Sequence, residues 1–152
     1  MLPVTKSLEH IFELSDLNLS IEKGTLIFII GKVASGKSSI LYSLMGEMKP
    51  FNPFDKEDPR YETQYPPRLS RNGSVSFLSE KPWLMPTTIK ENILVGKPLD
   101  EQRLSTCIKM AQFEYDLKLM SEGIETVIGE NGTTLSGGQR TRLALARCLY
   151  QE

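Results

Sequence analysis

Apolar and polar positions change period several times along this 152-residue chain, and each change marks an element. Leu17, Leu19 and Ile21 alternate with polar neighbours, the period of a half-buried strand. A turn at Glu22-Lys23-Gly24 leads into a continuous apolar run, LIFII at 26–30, which reads as a strand covered on both faces. A glycine-rich stretch runs from Gly31 to Gly36. KSSILYSLMGE then takes up helical spacing: Ile40, Leu41, Leu44 and Met45 share one face, and Gly46 supplies a stop.

Between 49 and 70 neither period survives. The stretch is proline-rich and charged, and reads as an exposed loop or tolerated surface insertion. The alternative reading is a regulatory segment, phosphorylated at Ser70 behind Arg68. Order returns at Gly73, where SVSFLS is a short strand. Thr88-x-x-Glu91 has capping-box spacing and starts the helix TIKENIL. Asp100 caps the next helix, on which Leu104, Cys107, Ile108 and Ala111 form an apolar stripe. A further helical stretch lies around 115–120 and ends near Gly123. Ser136-Gly137-Gly138 opens a last helix, basic and apolar.

Composition narrows the classes. A net charge of −1 gives no support for binding nucleic acid, so none is expected as a partner. Cys107 and Cys148 lie far apart in helical patterns, which favours reduced thiols over a disulfide. His10 is the only histidine, which excludes a multi-histidine metal site. The longest aliphatic run falls far short of the roughly 20 residues that a spanning helix needs. The N-terminus lacks the apolar core of a signal peptide.

The strongest chemical signal is GKVASGKS at 31–38, which fits G-x-x-x-x-G-K-[ST] between an apolar run and a helix. Glycines let the backbone curl until successive N–H groups face a phosphate. The helix N-terminus adds partial positive charge. Lys37 is expected to reach the β- and γ-phosphates, and the Ser38 hydroxyl to ligate Mg²⁺. The phosphate-binding residues expected run from Gly31 through Lys32, Val33, Ala34, Ser35, Gly36, Lys37 and Ser38 to Ser39. Such a loop alone implies a nucleoside triphosphate and no particular reaction.

A second stretch is more specific. LSGGQR at 135–140 resembles the signature motif of ATP-binding cassette (ABC) ATPases. It is a second anion cradle, with Ser136, Gly137, Gly138 and Gln139 at a helix start. The resemblance implies that it closes over ATP bound to another cassette, so that two cassettes sandwich two nucleotides head to tail. ETVIGENG at 125–132 resembles the loop that exporters set before the signature, where Glu130 matches an acidic residue that touches the transmembrane domains. PWLMPTTIKENILVG at 82–96, with its Trp83, is similar to C-subfamily members, the multidrug-resistance-associated exporters and the cystic-fibrosis chloride channel. The resemblance covers nearly the whole chain outside the insertion.

It implies an α/β fold, a P-loop NTPase cassette, here incomplete. The P-loop core and a helical subdomain are expected, with the inner sheet strands missing. The organisation expected is a P-loop core at 1–48, the insertion at 49–72, and a glutamine-loop-like region at 73–98. A helical subdomain at 99–134 and the signature helix at 135–152 complete it. ATP and Mg²⁺ are the cofactors, and a second cassette and transmembrane domains the partners. The implied location is the cytoplasmic face of a membrane, within an integral transporter. The implied function is to power or gate transport by ATP binding and hydrolysis. The alternatives are a gating or regulatory cassette with little turnover, or a non-functional fragment. A soluble chromosome-type ABC ATPase would carry a long heptad-rich insertion, and a P-loop kinase leaves LSGGQR unexplained.

Two departures bear on mechanism. The family places a glutamine where Glu80 stands, as a Mg²⁺ ligand and γ-phosphate sensor that also faces the transmembrane domains. A carboxylate still ligates Mg²⁺ but adds negative charge near a triphosphate, so slower hydrolysis with retained ATP binding is expected. No aromatic clearly matches the adenine-stacking position; Phe12 is the nearest, and it fits a core role equally. The family's metal-holding Asp, its catalytic Glu and its switch His would follow Glu152. The isolated chain is therefore expected to hydrolyse ATP very slowly or not at all. Without the inner strands it is also expected to be unstable alone, a fragment of a larger transporter or a partial gene product.

Overall fold

The computed structural model describes residues 14, 17–48, 69–129 and 134–151. The chain divides into two compact units, Met1–Asn72 and Gly73–Glu152.

In the first unit the glycine-rich loop runs into α1, Lys37–Met45. Gly36 enters it with φ 89° and Gly46 ends it with φ 85°, both left-handed, as the spacing of glycines predicts. Gly46 N–H donates to the Ser43 carbonyl at 3.0 Å, and Glu47 N–H to that of Tyr42 at 2.9 Å, closing the end. No residue of α1 is buried, and Leu41 of its apolar face stays 40% exposed.

The strands expected at 17–21 and 26–30 do not form among the described residues. Leu26, Phe28 and Ile30, expected under cover on both faces, are 80%, 76% and 91% exposed. The strand expected at 74–79 is likewise absent. The reason is physical: a strand is held by hydrogen bonds to a neighbour, and β-branched or aromatic side chains favour it only when something packs on them. The described residues contain one isolated bridge, Thr88 with Val127, and no ladder.

The second unit is a helical cluster with its own core. α2 is Ile89–Leu94, α3 Glu101–Met110 and α4 Glu114–Lys118; a 3₁₀ turn follows at Gly123–Glu125, and α5 is Gly137–Gln151. The predicted capping box forms: Glu91 N–H donates to Thr88 Oγ1 at 3.1 Å, and Thr88 N–H to Glu91 Oε2 at 3.2 Å. Asp100 caps α3 through Arg103 N–H at 2.9 Å. Leu104, Cys107, Ile108 and Ala111 are all buried, as their spacing requires. They pack with Ile89, Ile93, Phe113 and Ile128, and with Leu143, Ala146 and Tyr150 of α5. Tyr150 also ties α5 to the start of α3, accepting from Asp100 N–H at 2.9 Å and donating to the Pro98 carbonyl at 2.7 Å. Neither cysteine is in a disulfide.

The centre of this unit is polar. Asn92 of α2 is fully buried. Its Oδ1 accepts from Met85 N–H and Arg147 Nη2, both at 2.9 Å. Its Nδ2 faces the Met85 carbonyl at 3.0 Å, Thr87 Oγ1 at 3.2 Å and the Thr88 carbonyl at 3.0 Å. Arg147 spans from α5 to the backbone before α2, donating to the Asn92 carbonyl at 2.7 Å and the Trp83 carbonyl at 2.8 Å. Its guanidinium also stacks 4.1 Å from the Trp83 ring centre.

Candidate functional site

The phosphate loop has the backbone that its sequence requires. It turns through two left-handed residues, Ala34 at φ 63° and Gly36 at φ 89°. A Cβ on Gly31 would lie 2.7 Å from Ser35 Oγ, so a larger residue there would make the Ser35 side chain shift. Lys37 Nζ folds back over the loop, donating to the Gly31 carbonyl at 3.1 Å and the Lys32 carbonyl at 2.5 Å. No side chain caps α1, so the N–H groups of its first turn face outward with the helix dipole behind them.

Ala34, Ser35, Gly36, Lys37, Ser38 and Ser39 line a shallow cavity of about 200 Å³. Six of the nine expected residues therefore share one concavity. Gly31 and Lys32 contribute carbonyls that hold the ammonium, while Val33 is turned to solvent, 96% exposed. A cation over an uncapped helix start fits a phosphate. Exposed Ser38 offers a hard oxygen for Mg²⁺. Among the described residues no three His, Cys, Asp or Glu side chains gather into a metal cage. Mg²⁺ commonly takes its remaining ligands from substrate phosphates and water, so this donor set suits a nucleotide-borne ion.

The signature stretch, in the second unit, forms a capping box of its own. Ser136 N–H donates to Gln139 Oε1 at 2.9 Å, and Gln139 N–H to Ser136 Oγ at 3.3 Å. The spacing Ser-x-x-Gln announces this in the sequence. Sequence reasoning used the motif for its glycines and missed the cap. Among the described residues nothing packs within 4 Å of where a Cβ on Gly137 would stand. Gly138 differs: its Cβ would lie 3.2 Å from Arg142 Nη1.

Two residues that sequence reasoning missed stand behind this cradle. Asp116 of α4 is only 6% exposed. Arg142 grips it side-on, Nε to Oδ2 at 2.7 Å and Nη2 to Oδ1 at 3.0 Å, and Gln139 Nε2 reaches Oδ1 at 3.3 Å. The guanidinium holds the Asp116 carboxyl below its ordinary pKa against the opposing effect of burial, and Gln139 adds to this. The carboxylate in turn raises Arg142. Nothing in local spacing singles out Asp116, because the pair joins different helices. Arg147 did leave a signal: it falls on the same face of α5 as Leu143, Ala146 and Tyr150, a cation in an apolar stripe. Burial lowers its pKa, and among the described residues carbonyls and the Trp83 ring, with no carboxylate, receive its charge.

Glu80 sits in the exposed bend before Trp83. Glu130 and Phe12 lie outside the described residues. Among the described residues no helix is long and apolar enough to cross a membrane. A family model described as ABC transporter matches residues 14–152, both cradles included. With a glycine-curled lysine loop at one helix start and a capped Ser-Gly-Gly turn at another, the chain belongs to the ABC transporter family, as an ATP-binding cassette of the P-loop NTPase class.

Proposed function

We propose that this cassette binds MgATP between its own phosphate loop and the signature cradle of a second cassette, and that the closed pair powers or gates transport through transmembrane domains. The observation that carries the reading is Gly137. Among the described residues nothing packs within 4 Å of its Cβ position, which leaves that face of the helix start free for a group that approaches from outside. A phosphate presented by a second cassette meets that description. In this role Lys37 and the amides of 34–39 hold the phosphates, Ser38 and Glu80 serve Mg²⁺, and Ser136, Gly137, Gly138 and Gln139 form the opposing cradle. The Glu80 and Glu130 loops would face the transmembrane domains. The stretch 82–96 supports assignment to the C subfamily.

Equilibrium binding of MgATP to the full chain tests the first half. Lys37→Ala removes the one cationic side chain among the described residues that line the cavity. It should weaken binding at least about tenfold, as expected for a charge-assisted hydrogen bond to phosphate. Unchanged affinity would refute the assignment of the loop.

One observation favours a second reading, a gating cassette with little turnover: Glu80 stands where the family has glutamine. Restoring the amide in Glu80→Gln should raise hydrolysis in the membrane-assembled protein, with MgATP binding retained. If turnover and affinity both stay as they were, Glu80 has no part in catalysis.

A further inference from the structure

The signature cradle depends on a residue outside its motif. We propose that Asp116 is a positioning residue, which acts through Arg142 and Gln139 to set the Ser136 hydroxyl and the Gly137–Gly138 amides for the terminal phosphate of a nucleoside triphosphate. This rests on the cassette reading given above.

The argument starts from the Gln139 carboxamide. Its oxygen accepts from Ser136 N–H at 2.9 Å, and its nitrogen donates to Asp116 Oδ1 at 3.3 Å. The two bonds together fix which way the amide points. Ser136 N–H already asks for the oxygen, and the Asp116 acceptor on the nitrogen side adds to that preference over the flipped form. Ser136 Oγ accepts from Gln139 N–H at 3.3 Å, a bond that uses an oxygen lone pair and not the hydroxyl proton. That proton is left to be donated outward, beside the amides of the first helical turn.

Arg142 completes the arrangement. Its fork covers both Asp116 oxygens and leaves Nη1 alongside Gly138, where a Cβ would crowd it at 3.2 Å. The two glycines of the motif thus differ: a Cβ at Gly138 would press on Arg142, and a Cβ at Gly137 would meet no described packing atom within 4 Å. The pairing also settles a charge problem. A bare carboxylate behind an anion cradle would repel phosphate, and the guanidinium cancels it at contact distance. Asp116 can act as the fixed point because α4 is anchored. Its N-cap residue Phe113 is fully buried, and Leu117 packs on the core. Helix first turns are the parts of α5 most prone to fray, and this contact ties that turn to the core.

The test uses the full chain, isotope-labelled, with amide exchange and MgATP or MgADP titrations followed residue by residue. Asp116→Asn keeps the shape and loses the charge; Arg142→Lys keeps the charge and loses the fork. Both should lower exchange protection at Ser136 and Gln139 about fivefold or more, the loss of roughly one hydrogen bond, while Leu143 and Ala146 keep theirs. Both should also weaken the MgATP-dependent response of Gly137 and Gly138, with the MgADP response at Gly36 unchanged. A uniform loss of protection along α5, or unchanged protection at Ser136 in both variants, would overturn the positioning role. If exchange changes as expected but the wild-type Gly137 and Gly138 ignore MgATP and MgADP alike, the cassette reading fails. Asp116 then serves only a helix cap, which also overturns the proposal.

Discussion

Asn92 offers the sharpest test of how the second unit holds together. Replacing it by Ala removes a fully buried side chain that takes part in five hydrogen bonds. Two protons on Nδ2 serve three acceptors, so one of these bonds is shared. The larger cost lies in the partners. Met85 N–H, which is part-buried, and Arg147 Nη2, which is buried, both lose their Oδ1 acceptor. An orphaned buried donor costs about 1–3 kcal/mol, with charged groups toward the top of that range. Two such donors, and a small cavity that partly collapses, give a destabilisation of about 3–5 kcal/mol. That is a large share of the roughly 5–15 kcal/mol that holds a typical domain. Urea unfolding of the full chain measures it, read through the fluorescence of Trp83, whose ring lies against Arg147. Arg147→Met, which leaves Asn92 bonded to Met85, completes a double-mutant cycle. The two changes share one network, so the double variant should lose less than the sum by about 1–2 kcal/mol. A single-variant cost under about 1 kcal/mol for Asn92→Ala, with an unchanged denaturant slope, would refute the claim that this amide organises the unit.

Two further outcomes follow from local chemistry. The folded-state pKa of Asp116 is depressed, chiefly by the Arg142 hydrogen bond, so its contribution is complete above the unfolded carboxyl value near about 4. It is lost as pH falls below that value toward the folded pKa, and an acid-unfolding curve of Asp116→Asn should lack this component while matching wild type in its neutral-pH slope. Thr88→Ala removes the side chain that accepts from Glu91 N–H and should cost about 1 kcal/mol by thermal or urea melts, with no effect on MgATP affinity.

Different parts of the molecule were legible for different reasons. The ends of α2 and α3 were readable because a cap is a local event: Thr88 needs only Glu91, and Asp100 only Arg103. The stripe Leu104, Cys107, Ile108 and Ala111 was readable because burial on one helix face repeats at 3.6 residues, whatever lies opposite. The glycine-rich loop was readable for the same reason: Gly36 and Gly46 carry their conformations themselves. LIFII was misread as a covered strand because its meaning depends on partners. Five apolar residues have β propensity, but propensity has little force without a ladder, and in the structure most of their surface meets solvent. Asp116, Arg142 and Arg147 were invisible as partners for a related reason. Each binds a group far away in the chain, and spacing carries no trace of such pairs.

This division explains why the signature motif says more than its glycines. LSGGQ looks like a phosphate cradle, and its serine and glutamine look like ligands. In the folded unit the Gln139 carboxamide is engaged on both sides, accepting from Ser136 N–H and donating to Asp116. A Cβ on Gly138 would press on the Arg142 guanidinium, 3.2 Å from Nη1. Ser136, Gly137 and Gly138 are all exposed, and of the two glycines only Gly137 has a Cβ position that no described side chain crowds. A substitution series separates the two glycines. Gly138→Ala should gain less stability than Gly137→Ala, because its new Cβ stands 3.2 Å from Arg142 Nη1 and the guanidinium must give by a few tenths of an ångström. Gly137→Ala should melt like wild type or slightly better, since Ala is favoured in a helix and nothing stands in its way. Any loss it causes should then appear in the response to MgATP alone. Equal effects of the two substitutions on stability would show that the two glycines do not differ in this way.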